Sequence, residues 1–248
     1  MKFVYLLVLF FTVIIPAIFS FHSKLRFYKH WKAFFMANSI VALAFIIWDI
    51  KFTELGIWGF NPNYLTGIYI LFLPLEEVLF FICIPFACVF TYYCLTLFYT
   101  FNWGKKTENI LVYSLSAVLI VGGIHFSDKL YTSSVFLSLG GLLFAIKVFS
   151  KTNWLARPFT VYLFLLIPFF IVNGVLTGSG LDAPVVWYNN SENLGLRLFT
   201  IPIEDVFYGF ELILLNILLF DFFKIRFYLK EKSQQKESIE LLQKNNLV

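Results

Sequence analysis

Seven apolar runs separated by short, charge-bearing segments leave this chain few ways to fold. The runs cover residues 3–20, 33–50, 70–99, 108–124, 133–149, 158–176 and 200–222, and a helix of about 20 apolar residues is long enough to cross a bilayer. Inside hydrocarbon every backbone N–H and C=O must find its partner within the chain, so runs of this length form helices rather than loops or open strands. With 60% apolar and 14% charged residues and a mean hydropathy of +0.80, the chain reads as an all-α polytopic membrane protein with seven transmembrane helices. The first run, preceded by Lys2, has the look of a signal peptide. It lacks an A-x-A-like cleavage site, however, and is followed by Lys24, Arg26, Lys29 and Lys32, which hold its end in the cytoplasm. The third run is too long for one upright helix. It is expected to begin in the interface and enter the bilayer near Pro74, because a first helical turn loses nothing by a missing N–H.

Basic residues orient these spans. Of the 19 Lys and Arg, only Lys2, Lys51, Lys129 and Arg197 fall outside when the amino terminus is placed outside. The positive-inside rule therefore puts the carboxyl terminus in the cytoplasm. Topology accounts for the net charge of +4, and no nucleic acid is needed to explain it.

Within this frame one motif recurs. Pro74-Leu75-Glu76-Glu77 and Pro202-Ile203-Glu204-Asp205 each set two adjacent carboxylates at the head of an apolar run. Aligning the prolines without gaps brings Asn61 onto Asn189, Gly67 onto Gly195 and Phe60 opposite Tyr188, with Trp58 one residue out of step with Trp187. An ordered series of matches indicates an internal duplication. Residues 1–100 form the first repeat with spans 1 to 3, and residues 131–223 the second with spans 5 to 7. Residues 101–130 supply a linker span, and residues 224–248 a polar cytoplasmic tail. The extra crossing makes the two three-helix repeats parallel, related by a pseudo-twofold axis along the membrane normal, so that both motifs can face one central cavity. The loops 56–66 and 182–194 that precede the motifs, Tyr64 and Tyr188 included, read as interfacial aromatic belts and turns.

Acids in the first turn of a helix meet the positive end of its dipole, which alone could explain one such motif. Two copies at matching depth point instead to chemistry. Glu211 adds a third acid on the face of Glu204, two turns further along with Tyr208 between them. At 1.5 Å per residue it lies about 13 Å past Pro202, near the middle of a hydrocarbon core about 30 Å thick, where an acid is expected to face a functional interior. Burial in an apolar site can raise a carboxyl pKa by up to about 3 to 5 units, so one carboxyl can remain a neutral acid while a second takes a proton back. Asp49 and Asn173, from spans 2 and 6, are candidate partners.

Other chemistries lack their residues. Cys83, Cys88 and Cys94 share one apolar run at spacings that suit neither a CxxC pair nor a metal site, and His22, His30 and His125 show no metal-ligand spacing. No lysine in residues 200–222 could carry a retinal Schiff base. There is also no DxxxD magnesium motif and no EExxxR protease motif.

With Pro-x-Glu-Glu/Asp twice, each behind a loop carrying Trp and Asn and each opening a membrane helix, the chain resembles the integral-membrane lycopene cyclases. Two homologous halves occur in that family as separate subunits in some bacteria and fused in others, and the resemblance covers nearly all of this chain in the fused arrangement. It implies a lycopene β-cyclase, an isomerase (intramolecular lyase) of carotenoid biosynthesis that closes the acyclic ends of lycopene or a related acyclic carotenoid into β-rings. An acid protonates the terminal double bond, the neighbouring double bond attacks the cation, and loss of a proton completes the ring. On this reading Glu76 and Glu204 face the cavity as acid or base, with Glu77 and Asp205 as their partners. Trp58, Phe80, Trp187 and Tyr208 are candidate polyene-lining or cation-stabilising aromatics, and Asn61, Asn173, Asn189 and Glu211 candidate supporting residues. No cofactor or metal is expected, since no dinucleotide-binding fingerprint is present. Partners would be membrane lipid and other carotenoid-pathway enzymes. The residues alone leave a second reading open, a proton-coupled membrane transporter or carotenoid-binding membrane protein with Glu211 as a coupling site.

Overall fold

A computed structural model describes residues 2–149 and 154–245. Seven helices dominate it: α1 (Val4–Phe19), α2 (Trp31–Glu54), α3 (Leu75–Phe98), α4 (Lys105–His125), α5 (Leu130–Phe149), α6 (Ala156–Leu176) and α7 (Ile203–Asn245). Six are long and apolar enough to cross a membrane. The remaining one, α1, has 16 residues, about 24 Å at 1.5 Å per residue, because the chain turns away after Phe19. It still exposes Leu7, Phe11, Ile15 and Ile18 on one side, as a lipid-contacting helix does. The third apolar run does not enter as one helix. Its first residues form a two-stranded hairpin, β2 (Tyr69–Ile70) with β3 (Leu73–Pro74), and α3 starts beyond it with Pro74 as the residue just before the helix. At the other end α7 continues through most of the expected polar tail, whose last residues, 246–248, lie outside the described residues, as does the connection at 150–153.

The duplication extends to the strands and long helices of the two halves. An offset of 128 residues carries β1 (Trp58–Phe60) onto β4 (Val186–Tyr188) and the β2–β3 hairpin onto β5 (Arg197–Leu198) with β6 (Ile201–Pro202). It also carries the start of α3 onto that of α7. Backbone detail repeats with it. Gly67 and Gly195 take φ of +85° and +70° at the entry to each hairpin, a region open to glycine at little cost. Leu71 and Phe199 occupy the left-handed region at the hairpin tips, at φ 57° and 58°. Asn61 and Asn189 each accept the N–H two residues on, from Asn63 and Ser191, making matching turns.

Strands β1 and β4 pair antiparallel with Gly59 opposite Trp187. Residue 59 of the first repeat thus faces its own equivalent in the second, and the pseudo-twofold axis passes between them. Around that axis the helices exchange partners, α2 lying against α7 and α6 against α3. The two pairings are unequal. α2 runs closely along α7, joined midway by Asn38, whose Nδ2 donates to Asn216 Oδ1 at 3.1 Å and to the Phe81 carbonyl at 2.9 Å. α6 meets α3 more loosely, and that looser side of the bundle leaves room for a cavity. The linker helix α4 packs on α5 through close approaches at Gly123 and Gly140, and the buried Lys147 Nζ sits 2.6 Å from Glu108 Oε1.

Candidate active site

Both carboxyl pairs occupy the first turn of their helices, where the exposed N–H groups and the helix dipole favour acids. Adjacent residues on a helix diverge by about 100°, so the two members of each pair have different surroundings. Glu76 Oε1 accepts the Thr66 N–H at 2.6 Å, and Glu204 Oε1 accepts the equivalent Leu194 N–H at 2.8 Å as well as the Thr132 hydroxyl at 2.6 Å. Each ties its helix start to the loop before it. Both side chains are fully buried, with Oε2 lacking a partner among the described residues.

The second member of each pair turns toward a cavity of about 650 Å³, bounded by α1, α3, α6, α7 and the β1–β4 pair. On α3 its lining runs Glu77, Phe80, Ile84, Ala87, Cys88 and Thr91, and on α7 Asp205, Tyr208, Gly209 and Leu212. Both are helical stripes that begin at the second carboxyl. The expectation that Glu76 and Glu204 face the cavity is therefore reversed. Packing of α1 on α3 and α5 on α7 turns the first acid of each pair toward the loops and the second inward. Glu211 shares the face of Glu204, as its spacing requires, but that face meets α5. It is buried there, accepting the Ser138 hydroxyl at 2.7 Å, and does not line the cavity.

Phenols hold the inward carboxyls. Tyr5, at the head of α1, donates to Glu77 Oε2 at 2.5 Å; Tyr131, at the head of α5, donates to Asp205 Oδ1 at 2.5 Å and Tyr188 to Oδ2 at 2.8 Å. Tyr188 lies in the β4 loop, where burial and then the neighbouring Asp205 charge push its phenol well above the usual range, so it stays a donor at neutral pH. A third acid, Asp49 of α2, also lines the cavity. Its Oδ1 accepts the Trp58 indole N–H, and its buried Oδ2 has no partner among the described residues.

Aromatic rings close the carboxyl-bearing end of this space. Trp58 lies 5.1 Å from Tyr131, 6.2 Å from Tyr188 and 6.1 Å from Tyr208, centre to centre, and Tyr131 stacks on Tyr188 at 6.0 Å. Strand alternation decides which tryptophan belongs to the wall. Trp58, Phe60, Val186 and Tyr188 point in, whereas Trp187 sits on the opposite face, its indole lying on Gly59 and 44% exposed.

Of the supporting residues expected from sequence, the structure places Trp58, Phe80, Asn173 and Tyr208 on the cavity; Asn61 and Asn189 make loop turns, and Trp187 and Glu211 lie elsewhere. Tyr5 and Tyr131 carried no signal in the sequence, being two tyrosines among 13, and Tyr188 had read as an interfacial belt residue. Among the described residues no group of three or more His, Cys, Asp or Glu is placed to hold a metal ion.

The arrangement offers buried carboxyls, tightly positioned by phenols, at the closed end of an apolar and aromatic space. That is equipment for moving protons on a hydrocarbon away from water. No curated protein and no solved structure matches the chain significantly. The family model described as lycopene cyclase matches residues 2–95 and again residues 128–223, leaving unmatched the stretch that holds α4. Matched twice, once in each repeat and across most of its length, the chain belongs to the lycopene cyclase family.

Proposed function

We propose that this protein is a lycopene β-cyclase acting in the bacterial cytoplasmic membrane, its amino terminus outside and its carboxyl terminus in the cytoplasm. The observation that carries the reading is the convergence of Glu77 from one repeat and Asp205 from the other on a single apolar cavity. One proton enters at the terminal double bond of an acyclic end, a tertiary cation forms, and the neighbouring double bond supplies the electron pair of the new ring bond. One proton then leaves, so atoms balance and no oxidant or reductant is consumed. The walls exclude water that would trap the cation, and the faces of Trp58, Tyr131, Tyr188 and Tyr208 stabilise positive charge. Glu77 and Asp205 act at the reacting end, while Glu76 and Glu204 position the helix starts. Residues 1–100 and 131–223 serve as two half-sites, joined through residues 101–130 and followed by the polar tail.

The lining extends on α1 from Val4 to Pro16, about 18 Å at 1.5 Å per residue, and includes the outward-exposed Leu7, Phe11 and Ile15. A slot open to the lipid side lets a long polyene lie with one end at the carboxyls and the rest along α1 and α6. The test is pigment analysis of lycopene-accumulating bacteria expressing the chain at equal level as wild type, Glu77→Gln and Asp205→Asn. β-Ring products from the wild type that disappear with either substitution are expected. Unchanged lycopene with abundant wild-type protein in the membrane would overturn the reading.

A further inference from the structure

The two repeats set their carboxyl pairs alike, yet the cavity they enclose is not symmetric, and one departure concerns an acid. Asp49 lies 128 residues before Thr177, so the second repeat carries a hydroxyl where the first carries this acid. Thr177 is engaged locally, donating to the Asn173 carbonyl at 2.7 Å and bonded to the Thr200 hydroxyl at 2.7 Å. Asp49 is almost completely buried, with one oxygen committed to Trp58 and the other, Oδ2, without a donor among the described residues. An orphaned carboxyl oxygen in an apolar enclosure is costly to keep, and here it sits on the wall of the reaction space.

Hydrogen bonding sorts the three cavity acids. Both oxygens of Asp205 already accept phenol protons, which favours its charged form over a protonated one. Glu77 is held on Oε2 alone, which leaves Oε1 for an O–H aimed at a substrate. Asp49 Oδ2, buried with no donor among the described residues to steady a negative charge, is where a proton is most readily taken up. Glu76 Oε2 and Glu204 Oε2 also lack partners among the described residues but do not line the cavity.

Resting on the cyclase reading, we propose that Asp49 is a further catalytic residue, the base that ends the reaction by taking the proton from the closed ring onto Oδ2. Glu77 supplies the first proton, and Asp205, pinned by its two phenols, stays as the fixed negative partner of the cation. In the last step a C–H bond beside the cationic ring carbon breaks, its electron pair becomes the ring double bond, and the proton forms the O–H bond of Asp49. Asp49 then carries the proton that Glu77 lacks. Its return to Glu77 restores the starting state with no net proton consumed.

Asp49→Asn tests this, because the amide oxygen can still accept the Trp58 N–H but cannot take a proton. Wild-type and variant protein are compared in lycopene-containing membranes for total turnover, product identity and polyene binding, the last read from the absorption band of bound lycopene. The expected result is retained binding, a β-ring rate at least tenfold lower, and new ring products with a shifted double bond or an added hydroxyl, formed when the cation is quenched elsewhere. Asp49→Glu should recover β-rings in part. β-Rings as sole product at a rate within twofold of wild type, or a lower rate that simply tracks lost polyene binding with no new product, would overturn the proposal. If the Asn variant does not reach the membrane, Asp49→Thr, which installs the residue the second repeat carries, replaces it with the same expected outcomes. A wild type that leaves lycopene unchanged removes the cyclase reading itself; a cyclising wild type beside an equally competent Asn variant removes only this inference.

Discussion

Removing the Tyr131 hydroxyl isolates what the phenols do for Asp205. In Tyr131→Phe the ring keeps its neighbours, Trp58 at 5.1 Å and Tyr188 at 6.0 Å, so only the O–H directed at Asp205 Oδ1 from 2.5 Å is lost. A hydrogen bond to a charged group contributes about 1.5–3 kcal/mol, and about 1.4 kcal/mol is a factor of ten in rate. If the bond steadies Asp205 opposite a developing cation, kcat should fall roughly 10- to 150-fold, with KM little changed because the apolar lining is intact. Tyr188→Phe removes the longer bond, 2.8 Å to Oδ2, and should lie at the mild end of that range. Both phenols act on one carboxylate, so the double variant should depart from the product of the two single effects. The assay is initial cyclisation rate on lycopene with purified protein in detergent, beside thermal unfolding to separate folding from turnover. Single variants that both keep kcat within twofold of wild type would refute the role assigned to the clamp.

Further substitutions test the anchors and the packing that shape the cavity. Glu76→Gln and Glu204→Gln preserve an acceptor for the Thr66 and Leu194 N–H groups and should cyclise within a few-fold of wild type. Glu76→Ala leaves that buried N–H without its partner and should lower stability by about 1–3 kcal/mol in a detergent unfolding series; a Glu76→Gln variant as inactive as Glu77→Gln would contradict this division of labour. Gly59→Ala sets a Cβ against the Trp187 ring, so the indole must leave its seat on β1, which should cost about 1–3 kcal/mol together with cyclisation, measured by melting temperature and pigment ratio. Lys147→Met leaves Glu108, whose side chain is 1% exposed and 2.6 Å from the ammonium, with the Ala156 N–H but without that cation, and should destabilise by about 3–5 kcal/mol. Replacing both partners by apolar residues should recover much of that loss.

The membrane setting, the helices and the repeat were legible in the residues because each follows from a local rule. Apolar runs must become helices to satisfy their own backbone in hydrocarbon. An offset that matches Asn61 with Asn189, Gly67 with Gly195 and Pro74 with Pro202 needs no contacts to be seen. The hairpins ahead of α3 and α7 were hidden, since Ile68 to Leu73 is as apolar as the helix that follows. Tertiary structure alone decided which acid of each pair is turned inward. Glu76 and Glu77 are neighbours about 100° apart on a helix that is apolar all round, so periodicity could not tell the face toward lipid, loop or cavity. Likewise Tyr5 reaches Glu77 across 72 residues of sequence, and Asp49 enters the site only because α2 packs tightly on α7 while α6 stands off α3. Residue type and spacing determined that carboxyls from two repeats stand at matching depth; the unequal packing of those repeats determined which of them share a cavity, because orientation around a helix axis is set by its neighbours and not by its own sequence.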